Sequence, residues 1–73
     1  MKIFAFGQIA EITGKSLEID AADTDQLHQF LMASFKELTD RKFAIAVNKK
    51  IISKNVALHQ TDEIALMPPY SGG

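Results

Sequence analysis

The sequence predicts an α+β domain in which one main helix packs across one face of a mixed sheet of about five strands. Three observations carry that expectation. Short apolar runs stand near both ends, at Lys2–Phe6 and Glu63–Met67. Between them, apolar residues recur at helical spacing from Leu27 to Leu38. A further apolar run, Phe43–Val47, is broken by Asn48-Lys49-Lys50 before Ile51-Ile52 resumes.

Lys2–Phe6 is nearly continuous in its apolar character, as expected of a strand covered on both faces in the middle of a sheet. Thr13-Gly14 is read as the following turn. Ser16–Asp20 then alternates, with Leu17 and Ile19 inward, and pairs as a hairpin with the first strand. Asp23 is a helix N-cap residue, and Gln26 three positions on fits a capping box. Leu27, Phe30, Leu31, Phe35 and Leu38 form one stripe on a helix of roughly four turns. Asn48-Lys49-Lys50 punctuates a short hairpin. After Asn55–Leu58 and a polar loop at residues 59–62, Glu63–Met67 forms the last strand, ended by Pro68. The first and last strands are placed as central neighbours, with the helix between the two hairpin-like halves. That arrangement is the β-grasp, the ubiquitin-like roll. Residues 1–67 are expected to fold as the domain and residues 68–73 to form an extended tail.

Composition narrows the chemistry. A chain of 73 residues holds one domain with a thin stability margin and little room for an enclosed catalytic pocket. Eight basic and nine acidic residues give a formal charge of −1, without the basic field that nucleic-acid binding needs. Cysteine is absent, which excludes thiolate catalysis and disulfides. Neither a signal peptide nor a membrane span is recognisable, so a cytoplasmic location without a membrane partner is expected. His28 and His59, isolated from each other and from clustered carboxylates, do not make a metal site. Lys49, Lys50 and Lys54 read as a solvated turn or as steering charge, and Asp62-Glu63 as loop solvation.

The ending Met67-Pro68-Pro69-Tyr70-Ser71-Gly72-Gly73 carries the functional signal. Two prolines fix φ near −65° and push the preceding residues into extended conformations. Two glycines then offer a backbone without side chains, suited to a narrow site in another protein. From Pro68 to Gly73 the reach is at most about 20 Å. A carboxylate is a poor electrophile, so a protein working through its C-terminus needs a partner that activates it with a nucleotide.

These segments resemble the small, sulfur-carrying subunits of molybdopterin synthase, a family related to the thiamine-pathway sulfur carriers and to ubiquitin. The resemblance spans essentially the whole chain: Lys2–Gly14, Ala46-Val47-Asn48, Asp62–Pro69 and, most specifically, Gly72-Gly73. One departure is Thr61, where the family commonly carries a glycine, so a positive φ is not expected there. The resemblance implies that the Gly73 carboxylate is adenylated with ATP by an E1-like adenylyltransferase and converted by a sulfur donor protein to a thiocarboxylate. It implies that the tail then enters the large catalytic subunit, within a heterotetramer, and passes sulfur to cyclic pyranopterin monophosphate. No cofactor bound by the chain itself is implied. Phe6, Ile51 and Met67 match family positions that contact the large subunit, and Pro68, Pro69, Tyr70 and Ser71 would accompany Gly72 and Gly73 into it. From the residues alone, Phe6, Ile51 and Met67 are equally compatible with ordinary core. A thiamine-pathway carrier, a ubiquitin-like protein modifier and a plain β-grasp binding module remain alternatives; Pro68-Pro69 favours the molybdopterin reading over the thiamine one.

Overall fold

The last strand lies at the centre of the sheet. In the computed structural model, which describes residues 1–68, the elements are β1 (Lys2–Ala5), α1 (Gly7–Thr13), β2 (Ser16–Glu18), α2 (Thr24–Ser34), a 3-10 turn (Lys36–Asp40), β3 (Ala44–Val47), β4 (Lys50–Ile51) and β5 (Ile64–Met67). The sheet order is β2-β1-β5-β3-β4. The central β1 and β5 run parallel, with Ile3 opposite Ile64 and Ala5 opposite Leu66. The outer pairs are antiparallel. This is the β-grasp expected from the sequence, with α2 in the connection between its halves.

One face of the sheet and the helices share the core. Ile3, Ile9, Leu27, Leu31, Leu38, Ile64 and Leu66 are sealed from solvent, and Ile45 and Val47 are buried beside them. Asp23 caps α2 as expected: its carboxylate accepts the Gln26 N–H at 2.8 Å. Gln26 reaches back to the Ala22 N–H at 2.7 Å, one residue before the expected capping-box donor. Thr24, a buried polar residue, donates its hydroxyl to Asn55 Oδ1 (3.2 Å) and accepts the Val56 N–H (2.9 Å), pinning the helix start to the loop after β4.

Four expectations need correction. Strand β1 is covered on one face only: its residues alternate exposed and buried, leaving Phe4 outside. Thr13-Gly14 does not turn directly from strand to strand. Instead α1 is inserted, burying Ile9 with Ala10 and Ile12 packed against the core, and Gly14 ends it at φ 89°. Apolar residues three apart in Ile9-Ala10-Glu11-Ile12 carry that signal. Helix α2 stops at Ser34; Phe35 leaves helical geometry at φ −129°, ψ 89°, and Leu38 reaches the core from the 3-10 turn. Finally, Phe30 is about half exposed. At about 100° per residue it sits roughly a quarter turn from the axis through Thr24, Leu27 and Leu31 that faces the sheet.

The β3–β4 hairpin turns through Asn48 and Lys49 alone, both with positive φ (52° and 72°). Two such residues give the turn whose twist matches paired strands. Asn48 also ties this turn to the start of β5. Its N–H donates to the Glu63 carbonyl at 2.7 Å, its Oδ1 accepts the Glu63 N–H at 2.9 Å, and its Nδ2 donates to Asp62 Oδ1 at 3.0 Å. Thr61 does not take a positive φ, as expected.

Candidate functional site

Register places the outward side chains in rows that cross the sheet, because successive strand residues point to opposite faces. One row is polar, with Lys2 opposite Glu18. The next reads Ser16, Phe4, Ala65, Ala46 and Ile51 across all five strands. Beyond it, Met67 stands opposite Ala44, and Phe6 continues the line of β1, its N–H donating to the Leu66 carbonyl at 3.0 Å. The outer face therefore grades from polar to apolar toward the end of β5 from which residues 68–73 continue.

Large apolar side chains on that face remain open to water: Phe4 is 37% exposed, Phe6 50%, Ile51 64% and Met67 38%. Ala65 and Ala46, directly opposite one another, leave low ground between them. The result is a hollow of about 460 Å³ walled by Phe6, Ile51 and Met67, with Lys49 and Glu63 completing its lining. A second hollow of about 520 Å³ lies on the other side of Phe6, against Phe4 and Ala10. Clustered, uncovered apolar groups of this size set the surface apart from an ordinary solvated face and make it the candidate interaction site.

The structure thus brings Phe6, Ile51 and Met67 to one patch and removes the ordinary-core alternative for all three. Pro68 is half-buried and lines a neighbouring cleft with Gln8, Ile9, Asp40, Arg41 and Lys42. Gly7, at φ 58°, makes that packing possible, since a Cβ there would lie 2.9 Å from Pro68 Cγ. The remaining expected site residues, Pro69, Tyr70, Ser71, Gly72 and Gly73, lie outside the described residues. Phe4 and the alanine pair were missed from sequence. Their signal is the two-residue period set by Ile3 and Ala5, readable only once the facing strands are known.

The minor candidates take structural roles. His28 stacks on Phe43 at 5.6 Å between ring centroids. Asp62 does more than solvate its loop: it accepts the Asn48 amide and the His59 N–H (2.8 Å). The Asn48 hydrogen bond, then that of His59, holds its carboxyl below the usual aspartate range. Among the described residues no group of three His, Cys, Asp or Glu could hold a metal ion. None of the described helices is long and apolar enough to cross a membrane.

Fold and surface together define a small ubiquitin-like β-grasp protein with an uncovered apolar sheet face. Residues 3–73 match the ThiS family, and the chain belongs to that family. It is 32% identical to the molybdopterin synthase sulfur carrier subunit of Escherichia coli (strain K12), with 100% of this chain and 99% of that one aligned. The molybdopterin synthase sulfur carrier subunit of Dictyostelium discoideum is 30% identical, over 99% of this chain and 94% of the relative. Among solved structures, a chain in the protein-protein complex of subunits 1 and 2 of molybdopterin-converting factor from Helicobacter pylori 26695 superposes with a TM-score of 0.74. It is 31% identical, covering 99% of this chain and 96% of that one.

Proposed function

We propose that the chain is the sulfur carrier subunit of a molybdopterin synthase, with residues 1–67 as a folded anchor and residues 68–73 as the segment delivered to partners. The observation that carries this reading is the apolar cluster of Phe6, Ile51 and Met67 at the end of β5 that leads into the Gly72-Gly73 tail. The relatives' names and full-length similarity support it.

In this reading the Gly73 carboxylate attacks the α-phosphate of ATP on an E1-like adenylyltransferase, forming an acyl adenylate and releasing pyrophosphate. A sulfur donor protein supplies sulfur that displaces AMP, leaving a thiocarboxylate. The outer sheet face, with Phe6, Ile51 and Met67, docks on the large catalytic subunit, and Pro68 to Ser71 lead Gly72 and Gly73 into its site, where sulfur passes to cyclic pyranopterin monophosphate. Glycines at the end keep that path narrow. The carrier is not an enzyme by itself; catalysis belongs to the partner.

Intact-mass measurement after incubation with the activating enzyme, ATP and a sulfur source tests the reading. The expected product has one oxygen replaced by sulfur, mapped to Gly73. An unchanged mass under conditions that charge a known carrier contradicts it.

A further inference from the structure

Phe6, Ile51 and Met67 wall the same hollow, but only Met67 can change its polarity by mild oxidation. The chain has three methionines and no cysteine, so all its side-chain sulfur is thioether. Met1 is buried in the core, and Met32 packs against that core. Met67 differs from both. It ends β5 with 38% of its surface open to water, and Ala44, opposite it on β3, has no side-chain atom beyond Cβ to cover it. A dissolved oxidant therefore meets the Met67 sulfur first.

When a hydroperoxide reacts with this thioether, the O–O bond breaks, an S=O bond forms, and water or an alcohol leaves. Sulfur loses two electrons and the peroxide gains them. The product side chain is polar. Its oxygen accepts hydrogen bonds, yet Phe6, Ile51, Ala46 and Ala65 around the hollow have no side-chain donor to give it. Lys49, the one side-chain donor in that lining, belongs to the β3–β4 turn, at the end of β3 remote from Ala44 and Met67. Covering an unpaired acceptor with another protein is costly. We propose that Met67 is an oxidation-sensitive modification site whose conversion to the sulfoxide closes the outer face to the catalytic large subunit. Methionine sulfoxide reductases reopen it: a dithiol takes the oxygen away as water and becomes a disulfide. The fold is spared, because Met67 points away from the core.

This inference rests on the carrier reading, so its test uses the full, uncharged chain and the catalytic large subunit of molybdopterin synthase. The chain is treated with dilute hydrogen peroxide, freed of it, mapped by peptide mass, and its association and melting temperature are measured. One added oxygen should appear on Met67 ahead of Met1 and Met32. Association should weaken about tenfold or more at an unchanged melting temperature, and recover after reductase treatment. Met32→Leu should respond to peroxide as wild type does, whereas Met67→Leu should bind equally before and after treatment. Oxygen landing first on Met1 or Met32, a Met67 sulfoxide that binds as tightly as the untreated chain, a loss of binding that comes with a lowered melting temperature, or a response in Met67→Leu overturns the inference and leaves the carrier reading intact. Failure of the untreated wild type to associate overturns both.

Discussion

Both faces of the central sheet carry large apolar side chains, yet only one of them is closed by the fold. The inner face carries Ile3, Ala5, Ile45, Val47, Ile64 and Leu66, all buried. The outer face carries Phe4, Phe6, Ile51 and Met67, all substantially exposed, around a floor of Ala46 and Ala65. Residue type does not separate these sets; position in the two-residue period does. The contrast teaches that the inner row closes the fold and that the outer row is left open by it; the proposed function assigns that open row to a partner.

Breaking the inner row should have the largest effect. Leu66→Ala, at a site without solvent exposure, should destabilise the domain by about 2–5 kcal/mol in denaturant unfolding, a large share of what a small domain possesses. The β3–β4 hairpin, which sets the wall carrying Ile51, comes next. Asn48→Ala removes two side-chain hydrogen bonds and a residue tolerant of positive φ, and should cost about 1–3 kcal/mol. Lys49→Gly relieves a left-handed φ at an exposed site and should raise stability by up to about 1 kcal/mol. Either outcome reversed would mean that this turn does not set the edge of the outer face.

The smallest effect is in pH. The Asp62 carboxyl is lowered by its hydrogen bonds with Asn48 and His59, and Asp20 is lowered by its hydrogen bond with the Met1 amine, then that with Gln60. A lowered folded-state value means stability that is present above the unfolded aspartate value of about 4 and lost as pH falls through the folded one. The Met1 amine is raised, chiefly by hydrogen bonds with Asp20 and then Glu18. Its contribution has the opposite sign: it is present below the ordinary amine value and lost as pH rises through the folded one. Thermal melts should thus fall modestly at both extremes, and Asp62→Asn should flatten the acid limb.

Much of this fold was legible in the chain. Asp23, Leu27 and Leu31 announced α2; Asn48-Lys49 announced the hairpin; the apolar density of β1 and β5 made them neighbours. The family likeness points to Phe6, Ile51 and Met67, and the sheet brings them to one patch. What escaped did so for physical reasons. The run at Lys2–Phe6 looks doubly buried because an exposed phenylalanine and a core residue have the same hydrophobicity, and only pairing partners tell them apart. Helix α1 was hidden by its shortness, since two turns offer few apolar positions. Phe30 matches the helical spacing but stands at the stripe's edge, and the chain leaves helical geometry at Phe35 with no glycine or proline beside it to signal the stop. Arg41 and Gln8, 33 residues apart, carried no sequence sign of their contact.

Ile51→Asp tests the division of labour between the two faces most directly, with stability and association with the large catalytic subunit measured on the same preparation. The account predicts a melting transition within a few degrees of wild type, because Ile51 is already 64% exposed, together with loss of association. A domain that unfolds, or one that stays folded and binds as before, would contradict it.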